Sequence, residues 1–180
     1  MTRHRRVLGL AAAAIAALTL AGCATMHVRS YVGRDADFGR YRTYGWGVEA
    51  ALPTGDPRLD SNPFFQERLH SAVDAQLAAR AFERIDAAEA DLLLHYHVSV
   101  TQRIDVNLID QKYGYCEDCR PEVYDAGTLT LDLVDTRTGR LVWRGWAERS
   151  IDGMLEEQDW MEQQIDEAVA RILARLPRTL

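Results

Sequence analysis

The chain has 180 residues, 47% of them apolar, and carries Lys+Arg 21 against Asp+Glu 27 for a formal net charge of −6. That length holds one domain with a real core and is short for two, and four tryptophans at this apolar share exclude a wholly disordered chain. The basic residues are nearly all arginine, Lys112 being the one lysine, and they form no stripe able to neutralise a phosphate backbone, which argues against nucleic acid as a partner.

The first stretch, "MTRHRRVLGLAAAAIAALTLAGCATM", opens with Arg3, Arg5 and Arg6 and continues into the apolar run Val7 to Leu20. A bilayer crossing needs roughly 20 apolar residues, so the run predicts an export signal over residues 1–22 rather than a stable membrane helix. Leu20, Ala21, Gly22 and Cys23 spell LAGC, which resembles the bacterial lipobox. In proteins with that motif the cysteine thiol receives a diacylglycerol, the signal is cut before it, and the new amino terminus is acylated. Cys23 is therefore the expected lipid attachment, and no other cofactor is expected. Each buried methylene adds ~0.8 kcal/mol, so several chains anchor a protein essentially permanently. Cleavage takes away three arginines and leaves a formal charge of −9, Lys+Arg 18 against Asp+Glu 27. Such acidity suits an anionic lipid surface badly, which leaves the acyl chains as the hold on the membrane. The residue after the cysteine is Ala24 and not Asp, which in lipoproteins of many Gram-negative bacteria implies the outer membrane, facing the periplasm.

Residues 23–37 are expected to form the acylated terminus and a tether with one short strand-like run, His27 to Val32, and residues 38–180 the folded domain. In "FGRYRTYGWGVEA", Tyr41, Thr43 and Gly45 alternate with Arg42, Tyr44 and Trp46, which predicts a strand near 41–48. Two prolines and a glycine make "ALPTGDPRLD" an exposed loop. Ser61 or Asn62 then caps a helix with Pro63 at its first position, and Phe65, Leu69, Val73 and Leu77 repeat at helical spacing over residues 63–80. From about Asp91 a strand sets Leu92, Leu94, Tyr96, Val98 and Val100 on one face and His95, His97, Ser99 and Thr101 on the other.

"KYGYCEDCRPE" holds Cys116 and Cys119 in a C-x-x-C spacing. Beyond the inner membrane thiols oxidise, and with Cys23 consumed by lipid these two form an even pair. Glu117 and Asp118 between the sulfurs push thiol pKa values up, the wrong direction for a redox thiolate. A zinc site needs two further ligands, and there is no second C-x-x-C or H-x-x-x-H. A short-loop disulfide is the favoured reading, with metal binding and redox chemistry as alternatives.

The stretch "AGTLTLDLVDTRTGRLVWRGWAERS" predicts a β-hairpin, with Leu129, Leu131 and Leu133 on one face and a "DTRTG" turn in which Gly139 takes positive φ. On the return arm Leu141, Trp143 and Gly145 alternate with Val142, Arg144 and Trp146. The last helix buries Met161, Ile165, Ala168, Val169, Ile172 and Leu176, and Pro177 ends it. Taken together these elements make an α/β chain of the α+β type. It is a single domain whose mainly antiparallel sheet of about four strands packs on two helices in the order β-α-β-β-β-α.

"FGRYRTYGW", the Asn62-Pro63 helix start, "ADLLLHYHV", "GTLTLDLVDTRTGRLVWRGWA" and the final "ILARLP" resemble the small bacterial envelope lipoproteins grouped as domain of unknown function 4136. With the lipobox, the resemblance covers nearly the whole chain. It implies an α/β lipoprotein of the cell envelope with no assigned activity and no defined catalytic residues. The C-x-x-C loop lies outside the pattern.

His95 and His97 form an H-x-H that offers two metal ligands, and Cys116 with Cys119 would complete a tetrahedral set; the plainer account is a solvated polar face. Arg144 beside Trp146 is an aromatic–guanidinium pair of the kind used in recognition, unless a loop covers the tryptophan. Tyr41, Tyr44 and Trp46 are expected to pack the first strand. No nucleophile sits in a strand–turn–helix elbow and no glycine-rich phosphate loop occurs, so an enzyme is not expected. The leading expectation is a membrane-anchored envelope lipoprotein acting as a non-enzymatic binding or structural module in the periplasm. Its expected partners are the membrane, through the lipid, and another envelope protein. The alternative is a metal-binding or thiol-active protein using His95, His97, Cys116 and Cys119. A third reading is a small-ligand module with an apolar pocket between sheet and helices, which the sequence does not separate from a filled core.

Overall fold

A computed structural model describes residues 26–48, 54–60, 62–104 and 123–177. In chain order these form β1 (His27–Val32), a 3-10 turn (Phe38–Arg40), β2 (Thr43–Trp46), α1 (Pro63–Ala78), β3 (Glu83–Arg84), β4 (Leu92–Ile104), β5 (Val123–Asp135), β6 (Arg140–Ser150) and α2 (Gln158–Leu173). One sheet runs β1-β6-β5-β4-β2-β3. The long antiparallel trio β4, β5 and β6 is its centre, and strict alternation of leucine with polar residues explains why. Leu94 pairs with Leu133 and Tyr96 with Leu131, so one face of the trio is continuously apolar.

The hairpin turn is built by Asp135. Its backbone carbonyl accepts from Gly139 N–H at 2.8 Å, and its carboxylate accepts from the backbone N–H of Arg137 and Thr138 at 2.9 and 3.0 Å. Gly139 has φ 65°, where a Cβ costs about 1–2 kcal/mol. Tyr41 OH and Arg40 Nη2 donate to the same carboxylate from the start of the domain, at 2.8 and 2.5 Å. Burial alone would raise the Asp135 pKa; these donors outweigh it and hold the carboxyl down at about 2.

Both helices cover the apolar face. α1 starts where Asn62 accepts from Phe65 N–H at 3.1 Å with Pro63 at the first turn, and buries Phe65, Leu69, Val73 and Leu77. α2 buries Met161, Ile165, Ala168, Val169, Ile172 and Leu173. Arg68 of α1 ties the pair together through Glu162 and Asp166 of α2. Beneath them Trp143 is fully buried, and its ring lies so close over Gly145 that a Cβ there would sit 2.4 Å from it.

The fold is thus a single mixed α/β domain with two helices, as expected, but the expected sheet of about four strands in the order β-α-β-β-β-α is corrected to six. Two differences account for this. β1, within the 23–37 stretch, is hydrogen-bonded along β6 as an edge of the sheet, although only Val28 of its six residues is not exposed. β3 is two residues long, too short to show alternation, and lies parallel to β2. β2 is also parallel to β4, because α1 carries the chain across the sheet between β2 and β3. Residues 85–91 then cross above β2: a Cβ on Gly45 would lie 2.5 Å from Ala87 Cα. Asp91 fixes this crossing by accepting from the N–H groups of Arg42 and Thr43 at 2.8 and 3.1 Å.

Candidate functional site: the open face of the sheet

The apolar face of the sheet is closed by the helices, and the other face carries most of the polar side chains of β4, β5 and β6. Register lines its side chains up in cross-strand rows. His95, Asp132, Arg144 and Tyr31 make one row, and His97, Thr130, Trp146 and Arg29 the next. Ser99, Thr128, Glu148 and His27 make a third. All four candidate residues of the described chain, His95 and His97 on β4 and Arg144 and Trp146 on β6, therefore share one surface across β5. Cys23, Cys116 and Cys119 lie outside the described residues.

Asp132 organises this surface. It is only 5% exposed, and Arg144 clamps it with two parallel bonds, Nε to Oδ1 at 2.7 Å and Nη2 to Oδ2 at 2.6 Å. The hydrogen bond to Asp132 raises the Arg144 pKa, outweighing its partial burial. His97 Nε2 stands 3.7 Å from Asp132 Oδ2. The ring of His95 turns the other way and covers β2: a Cβ on Gly47 would sit 2.1 Å from His95 Cε1. The two imidazoles thus face different neighbours. Among the described residues no group of three or more His, Cys, Asp or Glu is placed to hold a metal ion.

Arg144 consequently serves the fold before it serves any partner. Trp146 is half-buried on the same strand, and Tyr31, across from Arg144, is 51% exposed. Arg103 pairs with Glu148 at 3.0 Å, while Arg29 is exposed beside Trp146. The surface combines aromatic rings with cationic and hydrogen-bonding groups, a mix enriched at protein interfaces. The first-strand aromatics lie elsewhere. Tyr41 and Tyr44 are buried, and Trp46 stacks on His70 at 3.9 Å while donating to Asp74 Oδ1 at 3.0 Å. Tyr44 OH donates to the same oxygen at 2.7 Å, and burial together with that bond pushes its pKa up.

Sequence reasoning missed Asp132, Arg29 and Tyr31. Asp132 sits among leucines in "TLTLDLVD" at a polar-face position, which was a usable signal for a buried pair. Its partner was hidden because a bulge between Leu133 and Val134 shifts the register, so counting pairs outward from the turn puts Arg144 opposite the wrong residue.

A family model described as "Domain of unknown function (DUF4136)" matches residues 28–178. Among solved structures, the chain is similar to a DUF4136 family protein from Bacteroides thetaiotaomicron, at 15% identity and TM-score 0.53, covering 86% of this chain and 97% of that one. It is similar to a variant of the PelC dodecamer from Paraburkholderia phytofirmans, at 17% identity and TM-score 0.51, covering 87% and 100%. A PDZ domain protein from Parabacteroides distasonis matches at 16% identity and TM-score 0.53 over 94% of this chain, which spans 40% of that protein. At these identities the likeness is one of fold. No curated protein sequence matches the chain.

Proposed function

The chain belongs to the DUF4136 family, and from that premise we propose that it is a lipid-anchored protein of the bacterial cell envelope, held through Cys23, whose domain is a non-enzymatic binding module. In this reading the open face of the sheet is the contact surface. The partner is another envelope component, the location is the outer membrane facing the periplasm, and no nucleic acid or further cofactor is involved. The LAGC stretch after an export-type run supports the anchor. The observation that carries the binding role is the set of rows centred on Trp146. They bring Trp146, Tyr31 and Arg29 together on the face opposite the helices, next to the two-bond Arg144–Asp132 pair.

The test is cross-linking in intact cells, comparing the full chain with a Trp146→Ala, Tyr31→Ala double variant that keeps Arg144 and Asp132. Loss of the cross-linked species with cooperative unfolding retained supports the surface. An unchanged cross-link pattern removes it. Intact mass of the membrane-extracted protein tests the anchor separately, since signal removal plus an acyl increment on Cys23 is required.

A further inference from the structure

Between the covered face of the sheet and the first half of α2 lies a cavity of about 60 Å³. Its wall is apolar, with Met26, Phe65, Val98, Leu129, Ala147 and Ile165 prominent in it. One water-sized probe needs about 10–15 Å³, so there is room for a short stretch of alkyl chain, and an apolar wall of this kind does not hold water well. Two polar atoms interrupt the wall. Arg149 Nε and Gln164 Oε1 are buried, and neither has a hydrogen-bond partner among the described residues. Arg149 spends its Nη1 on Glu167 at 3.1 Å, which leaves Nε–H as a fixed donor.

A matching ligand brings an alkyl chain with one group that accepts from Arg149 Nε–H and donates to Gln164 Oε1. A secondary amide does both, whereas an ester or an ionised carboxylate only accepts. Met26, in the cavity wall, lies three residues past Cys23, a reach of at most ~11 Å in extended chain. We infer that the cavity seats the amide and the first methylenes of the acyl chain carried by the Cys23 amino group. The inference rests on the lipoprotein reading above. Two chains suffice for stable anchoring. The thioether-linked diacylglycerol therefore keeps the protein on its membrane while the third chain holds the domain close to its own anchor.

The experiment compares the membrane-extracted full chain with full-length Cys23→Ser, both in one non-ionic detergent, by calorimetric titration with N-octanoyl glycinamide and with ethyl octanoate. The Cys23→Ser chain should bind one amide probe, and the acylated chain about tenfold or more weakly, because its cavity is taken. The ester should bind Cys23→Ser about tenfold more weakly than the amide, and adding Gln164→Leu should erase that preference while ester binding persists. Ala168→Phe, which fills the cavity, should abolish both. Equal amide binding by the two forms, or none by Cys23→Ser, overturns the inference while leaving the anchor intact. A full chain whose mass shows no acyl groups overturns the anchor and this inference together.

Discussion

The two faces of the sheet are made by one alternation and end in opposite conditions. On the covered face Leu94, Leu131 and Trp143 are excluded from solvent under two helices. On the open face, at the next residue along each strand, His95, Asp132 and Arg144 meet solvent or one another. The aspartates repeat the contrast. Asp135, on the covered side, accepts from Arg40, Tyr41 and two backbone N–H groups, whereas Asp132 depends on a single guanidinium. The covered face sets stability, and the open face carries less of that constraint.

The widest separation should come from the two tryptophans of β6. Trp143→Ala should cost about 3–5 kcal/mol in urea unfolding, since a fully buried ring is lost from between β6 and α2. Trp146→Ala, three residues on, should cost markedly less, about 1 kcal/mol, since that ring is only half-buried. Similar costs for the two would erase the distinction between the faces. A second contrast is pH dependence. The depressed Asp135 pKa contributes stability present above the ordinary carboxylate value near 3.8 and lost as pH falls through about 2. Denaturation midpoints measured from pH 6 down to pH 2 should fall by an amount equivalent to about 2 kcal/mol, and Asp135→Asn should flatten that slope.

Smaller effects test the open face itself. Arg144→Ala should cost about 1–3 kcal/mol because it strands a nearly buried carboxylate. The double variant Asp132→Val, Arg144→Leu should recover most of that loss, since two apolar groups leave nothing unsatisfied. Failure of the double variant to recover would mean that packing around the guanidinium stem, and not its charge, is what matters. Gly139→Ala, away from the open face, should cost about 1–2 kcal/mol from the positive φ alone, with no change in partner cross-linking.

Much of this was legible in the order of residues. The spacing of Phe65, Leu69, Val73 and Leu77 fixes the face of α1, and Pro63 after Asn62 its start; the structure ends it at Ala78 rather than near residue 80, where the backbone of Ala81 turns to φ 63°. The alternation of Leu92 to Val100 and of Leu129 to Leu133 settles which side of each strand is apolar. Side-chain direction has period two in a strand, so it is a local property. For that reason residue order alone puts His95, His97, Arg144 and Trp146 on the polar face.

Strand neighbours and register are not local, and the chain's own pattern left them open. β1 is legible as a short strand-like run, His27 to Val32, but its place as the edge strand beside β6 is not. β3 exists because α1 and the Asp91 contacts bring two residues beside β2. Residue order alone determined two helices, a hairpin and one polar sheet face. Tertiary structure decided that the polar face gathers Tyr31, Arg29, Asp132, Arg144 and Trp146 into rows. The bulge at Leu133/Val134 and the pairing of distant strands are set by backbone hydrogen bonds that no single segment specifies.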